Sequence, residues 1–227
     1  MLKLSREELE LFFVQAWLIW TQRNAVIFGG VIQDPSRLVK RAGEFLEEFK
    51  QSQVQLAVAT VNARSSNWIP PSGSNYKLNF DAAIFQEGNA MGFGAVIRNN
   101  EGEVMAALSA RGPSVQDSEE AEVLACRKAL EFAVDSGFTN IVLEGDNVAV
   151  MAAISSSRQM YSRLGLLYAD IYCLATGLHV QSVSCVARSA NSVAHSLACF
   201  ANCINDEIIW LEESPQPALE VLHFDAR

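Results

Sequence analysis

Between Tyr76 and Asn205 the hydrophobic period changes in one particular order, and that order restricts the fold more than any other feature of the chain. Tyr76 to Phe85, Gly92 to Asn99 and Glu103 to Arg111 read as strands, with Asn100-Glu101-Gly102 as a hairpin turn between the last two. Gln116 to Ser136 then reads as a long helix closed by Gly137, and Asn140 to Asp146 as an apolar strand. Helices follow over Asn147 to Ser156 and from about Tyr161 to Thr176, then a strand over His179 to Arg188 and a last helix over Asn191 to Asn205. Three consecutive strands make an antiparallel meander, and strands separated by helices join it through right-handed crossovers. The expectation is an α/β fold: a five-stranded mixed sheet, three strands antiparallel and then two parallel, with helices on both faces.

The preceding residues follow a different rhythm. Residues 5 to 28 form a helical candidate with Phe13, Trp17 and Trp20 on one face, ended near Gly29-Gly30. A second helix has Asp34 to cap it, Pro35 as first residue, and Leu38, Ala42, Phe45 and Phe49 along one side. Together they predict a helical hairpin. From Thr60 to Asn75 the composition turns to Asn, Ser, Pro and Gly, which punctuates rather than packs. Charge divides at the same place: residues 1 to 73 carry 8 basic and 7 acidic side chains, the remainder 9 and 19. The chain therefore divides into an N-terminal helical segment at 1–59, a linker at 60–75, the α/β domain at 76–205 and a C-terminal extension at 206–227.

Composition narrows the function classes. A net charge of −9 argues against a protein that coats nucleic acid electrostatically, though not against a nuclease. No apolar run reaches the roughly 18 to 20 residues of a membrane span, and Glu7, Glu8 and Glu10 interrupt what would be the basic region of a secretory signal. Five cysteines without paired short spacing fit reduced, buried thiols. These features place the chain inside the cell, in nucleus or cytoplasm, with no membrane partner.

Three carboxylates are out of place in their elements. Asp81 sits at the centre of KLNFDAAIF, where a charge needs pairing or a metal unless one face of the strand is wet. Glu122 lies one turn into the long helix on the face of Ala125, Cys126, Ala129 and Ala133, small residues that let a helix approach a sheet. Asp146 closes an apolar strand in NIVLEGDN, where ligands collect in open α/β sheets, although Asp146 or Asn147 could equally cap the next helix. Hard divalent cations such as Mg²⁺ are held by oxygen ligands, so three acids converging from separate elements point to such an ion.

The motifs KLNFDAA, GFGAVIRNNEG, SEEAEVLACRKAL, VLEGDN and VARSANSVAHSLA, in this order and spacing, resemble the ribonuclease H domain in its plant, non-LTR-retroelement-related form. The likeness spans Tyr76 to about Ala201. Trp17, Trp20, Arg23-Asn24 and Phe28 are similar to the W-x-x-W-x-x-R-N-x-x-x-F segment that precedes this domain in such elements. The resemblance implies a ribonuclease H-like fold and a two-metal endonuclease that cuts the RNA strand of RNA–DNA hybrids with Mg²⁺ or Mn²⁺. It implies that Asp81 bridges both ions, that Glu122 and Asp146 hold one of them, and that the 2′-hydroxyls mark the RNA strand. Catalytic positions would be Asp81, Glu122, Asp146 and His195, with substrate contacts at Asn147, Arg188 and Asn191.

The chain departs from that pattern at the last helix, where active relatives carry a carboxylate four residues after an Asn. Asn191 is followed there by His195, which supplies no negative charge, so a weaker second metal site is expected. The competing reading is a retroelement-derived module, weak or inactive in catalysis, that binds nucleic acid or a protein. In that reading the aromatic N-terminal helices dock a partner or a second copy. His195, Cys199 and Cys203 share a helix face, but ends about 12 Å apart exclude one tetrahedral ion between all three. The Gly-x-Gly of GFGAVIR opens a strand rather than a helix, which excludes a phosphate loop. Arg158, Arg163 and Arg188 make Asn147 to Ala190 locally basic and nominate that segment for phosphate contacts.

Overall fold

The computed structural model describes residues 5–27, 34, 37–55, 66–156 and 163–225, and the chain divides into two compact units at 54/55. In the first unit α1 (Arg6–Ile27) and α2 (Leu38–Gln55) meet through Trp17 and Phe45, whose ring centroids lie 5.5 Å apart, with Ala42 fully buried. Phe13 and Trp20, on the same helical face as Trp17, are more than half exposed. The predicted helix end at Gly29-Gly30, the Pro35 start and Phe28 lie outside the described residues. No described helix is long and apolar enough to cross a membrane.

The second unit contains β1 (Tyr76–Phe85), β2 (Ala90–Arg98), β3 (Val104–Gly112), α3 (Ser118–Asp135), β4 (Ile141–Gly145), α4 (Val148–Ser156), α5 (Gly165–Gly177), β5 (Ser182–Cys185), α6 (Ser192–Phe200), β6 (Glu207–Leu211) and α7 (Leu219–Asp225). The strands form one sheet in the order β5-β4-β1-β2-β3-β6. Pairing is antiparallel across β1, β2 and β3 and parallel from β1 to β4 and β4 to β5, as the order of periods predicts. The sheet has six strands rather than five. The sixth, from the stretch read as a C-terminal extension, pairs antiparallel with β3 from Ala106–Leu211 to Ala110–Glu207. Its short EIIWL run is largely exposed along its length, so it lacks the buried runs that mark β1 to β4.

The pleat separates two layers. Leu78 and Phe80 of β1 face α3, α4 and α5 with Ile97, Leu108, Leu130, Ile141, Leu143 and Ile171 in the main core. Val96 and Ala107, of opposite parity, face α6 and α7 with Val193, Leu197 and Ala218. Gly92 and Gly94 explain why α6 lies so close to β2. A Cβ on Gly92 would collide with the carbonyl of Ala198, and one on Gly94 with the carbonyl of Ala194. The Gly-x-Gly is thus a seat for a helix, in keeping with its exclusion as a phosphate loop.

Two elements are shorter than their composition suggests. His179 adopts φ 50°, so β5 begins only at Ser182, and after Cys185 the chain turns into a single 3₁₀ turn over Arg188–Asn191. The last helix ends as α6 at Phe200 and tightens to a 3₁₀ turn over Ala201–Cys203.

The Pro- and Ser-rich stretch before β1 does pack. Trp68 is buried against Val186 and Ala190, its ring lies 3.6 Å beneath the Arg98 guanidinium, and its Nε1 donates to Asn79 Oδ1 at 3.0 Å. Arg98, 1 % exposed, is paired with Asp225 of α7 at 2.7 Å. Burial pulls its pKa down, and Asp225 opposes that shift. Trp68→Ala is expected to cost about 3–5 kcal/mol through lost packing. Asp225→Ala should cost a similar amount, about 3–5 kcal/mol, because it leaves a buried charge uncompensated. Urea unfolding of both variants checks this, and a loss under about 1 kcal/mol in either would contradict the clasp.

Candidate active site

The site is assembled in the middle of β1, just past the last residue that pairs with β4, and beyond the C-terminal end of β4. Asp81 pairs with Gly94 across the β1–β2 ladder, and the missing side chain at Gly94 lets α6 descend to the level of Asp81. His195, on α6, thereby reaches it: Nδ1 lies 2.6 Å from Asp81 Oδ2. Glu122 enters from α3, whose Ala125, Cys126, Ala129 and Ala133 are all buried and hold the helix against the sheet. Asp117 caps α3 by accepting from Glu120 N at 2.8 Å, and Glu120 reaches back to Gln116 N at 2.7 Å, which keeps those acids at the surface.

Asp146 was the ambiguous member, and its neighbour resolves it. Asn147 Oδ1 accepts from Ala149 N at 3.1 Å and from Val150 N at 3.2 Å, so Asn147 is the cap of α4. The Asp146 carboxylate is left to the pocket. One oxygen each of Asp81, Glu122 and Asp146 lie within 4.8 Å of one another, the one such cluster among the described residues.

Electrostatics set what this cluster can hold. Burial, then the charges of Asp81 and Asp146, push Glu122 up to about 9, with Arg188 pulling modestly the other way. Glu122 Oε2 is buried without a donor facing it. Asp81 is also raised, by burial and by Asp146, while its bond to His195 opposes the shift. Asp81 and Glu122 thus resist ionising, first because they are buried and then because acidic neighbours surround them. A hard divalent cation relieves both burdens at once, supplying charge and filling the unused acceptor on Glu122, so the donor set fits such an ion.

The remaining sequence candidates divide. Arg188 is exposed, with Nη2 3.4 Å from His195 Nε2. Arg163 is engaged with Asp117 and Glu120 at 3.1 and 2.6 Å, and Arg158 lies outside the described residues. Asn191, read as a substrate contact, is 1 % exposed; its amide donates to Phe80 O at 2.8 Å and its Oδ1 accepts from Asn79 at 3.3 Å. That buried amide anchors the start of α6 to β1 and does not face a ligand. The expectation of buried thiols holds in full only for Cys126; Cys185 is half-buried, and Cys173, Cys199 and Cys203 are exposed.

A support beneath the site escaped the sequence reading. Lys77 and Glu144 form a buried pair at 2.7 Å, and Glu144 also accepts from Asn79 Nδ2 at 3.1 Å. The signal was parity: Lys77 and Asn79 share a strand face with Asp81, and Glu144 shares one with Asp146. Glu144 is neutralised by Lys77, which separates it chemically from Asp146 two residues on.

The profile of the family described as reverse transcriptase-like matches residues 79–201. No curated protein matches the chain. Among solved structures, RNase H1 from the halophilic archaeon Halobacterium salinarum NRC-1 is similar, at 27 % identity and a TM-score of 0.52 over 57 % of this chain and 98 % of that one. The N-terminal RNase H domain of a Mycobacterium tuberculosis protein aligns at 21 % identity and a TM-score of 0.48, over 57 % of this chain and 94 % of that chain. The second unit is accordingly an RNase H-like domain, and family and fold are those of ribonuclease H-type nucleases.

With Glu122 raised from 4.5 to about 9, the metal-free protein should lose stability as pH rises between those values, since the folded state there binds a proton that the unfolded chain has released. Glu122→Gln should flatten that slope and raise the thermal midpoint at pH 8 without metal, while shrinking the increment that Mg²⁺ gives the wild type. Thermal scans across pH, with and without Mg²⁺, check this; an unchanged slope in the variant would separate Glu122 from the effect.

Proposed function

Because the chain belongs to the reverse transcriptase-like family, we propose that the pocket of Asp81, Glu122 and Asp146 is the divalent-cation centre of a ribonuclease H-type endonuclease acting on the RNA strand of RNA–DNA hybrids. The observation that carries this reading is the convergence of three carboxylates from β1, α3 and the end of β4, with Asp81 and Glu122 held against ionisation by burial and by their acidic neighbours. Mg²⁺ or Mn²⁺, as a pair of ions, would supply Lewis-acid activation of water and stabilisation of the leaving oxygen. Asp81, Glu122 and Asp146 would be the residues that hold the ions.

The chain's own residues do the positioning. His195 donates from Nδ1 to Asp81 and holds that carboxylate in one orientation. The Arg188 guanidinium facing Nε2 leaves that nitrogen as the acceptor, so a proton released near the scissile phosphate has a place to go. Arg188, exposed at the pocket rim, is the proposed phosphate contact, and its charge offsets a locally acidic surface. Asn147 and Asn191 act one step back, as helix cap and as anchor. The 2′-hydroxyl is the feature by which the RNA strand is distinguished. The plant, non-LTR-retroelement-related ancestry belongs to the same proposal and rests on the order of the motifs.

Cleavage of a labelled hybrid is expected with Mg²⁺ or Mn²⁺ and not with chelator. Asp81→Asn should lower the rate about 10²- to 10³-fold, the scale of removing a principal electrostatic stabiliser. Cleavage that survives in this variant would end the proposal.

A second reading, a module weak or inactive in turnover, is favoured by one observation: His195 stands where a fourth carboxylate would add charge. His195→Asp is expected to lower the Mg²⁺ concentration for half-maximal stabilisation several-fold, roughly as one added charged ligand should. Calorimetric titration checks this, and equal or weaker Mg²⁺ binding would show that His195 is not the weak point.

A further inference from the structure

We infer that His195 and Cys199 form a second cation site, selective for soft or borderline ions of the zinc class, on the edge of the imidazole opposite the carboxylate pocket. The two residues are one turn apart on α6, and Cys199 Sγ lies 3.6 Å from His195 Nε2. Bond lengths of about 2.3 Å to sulfur and 2.0–2.1 Å to nitrogen, opened at the tetrahedral angle, put the two ligand atoms about 3.6 Å apart. The two ligand atoms are therefore already at the separation one such ion needs.

The ring is also prepared for it. His195 Nδ1 faces Asp81 at 2.6 Å, and a carboxylate accepts there, so the proton sits on Nδ1 and the lone pair on Nε2. A carboxylate behind a histidine is the arrangement that fixes tautomer and orientation in zinc-binding histidines and raises the basicity of the free nitrogen. Arg188 Nη2 touches the same lone pair at 3.4 Å and is the group an ion would displace; its exposure allows it to swing away. The Cys199 thiol is exposed, so ion and water reach it directly. On binding, the S–H proton passes to solvent as the sulfur–metal bond forms, and water completes the shell. Thiolate with imidazole disfavours Mg²⁺ and selects zinc-class ions, whereas the three carboxylates select the reverse. Two protein ligands alone make this an open, reversible site, unlike the three-residue site through Cys203 that helix geometry rules out.

The consequence for catalysis rests on the function proposed above: an ion on Nε2 removes the proton acceptor beside the pocket, so zinc-class ions inhibit in the presence of saturating Mg²⁺. The binding itself does not depend on cleavage. Its test is a Co²⁺ titration of the full chain, reduced and in excess Mg²⁺, read by thiolate-to-cobalt charge-transfer absorption. The band should saturate at about one ion per chain, vanish in Cys199→Ser and Cys199→Ala, and persist in Cys173→Ser and Cys203→Ser. His195→Ala should weaken half-saturation by more than about tenfold, the lower bound for loss of a supporting contact at a metal. Circular dichroism and thermal midpoints confirm that each variant is folded. Absence of the band in the reduced wild type, or its survival without Cys199, overturns the inference whether or not the protein cleaves a hybrid.

Discussion

The close approach of α6 to the sheet governs the rest of the domain. Two glycines, at 92 and 94, remove the side chains that would hold the helix away from β2, and the small residues Ala194 and Ala198 face them. An added methyl at either glycine would meet helix backbone, which cannot retreat as a flexible side chain can. That contact brings His195 to Asp81, fixes Asn191 against Phe80, and turns a polar strand face into the floor of a site.

Beneath that floor lies a polar network that suits a buried strand face because its members satisfy one another. Asn79 is the hub: its Oδ1 accepts from Trp68 and from Arg98 at 3.4 Å, and its Nδ2 donates to Glu144 and Asn191. Lys77 neutralises Glu144, and Asp225 neutralises Arg98. Charges in this layer are paired with opposite charges within the protein, whereas the pocket gathers three acids against one imidazole, that of His195. The contrast between a charge-balanced layer and an acidic one, two residues apart on the same strand, is what singles out Asp81 physically.

Much of this was legible in the sequence. Strand and helix order followed from hydrophobic period, and the oddness of Asp81, Glu122 and Asp146 followed from asking what each carboxylate does on its own element. What could not be read was the content of contacts between distant residues. EIIWL gives no burial signal because a largely exposed edge strand needs none. Trp68 sits among Pro, Ser and Asn, a composition of loops, yet its partner Arg98 lies 30 residues on, across the sheet from any local pattern. Asn147 rather than Asp146 as the cap was a choice between two equally good caps, decided only by backbone geometry. Cys199 was legible as a helix-face neighbour of His195, but its exposure was not.

The clasp of Trp68, Arg98 and Asp225 has a bearing on what counts as the heritable piece. Residues 79–201 carry the family's signature and every proposed site group, yet both jaws of the clasp fall outside them. Excised at its recognisable borders, that segment would keep a guanidinium walled in apolar surroundings with neither its aromatic plate nor its counterion. The portion that can be transplanted into another protein as a self-sufficient cassette is therefore longer at both ends than the portion that kinship makes visible.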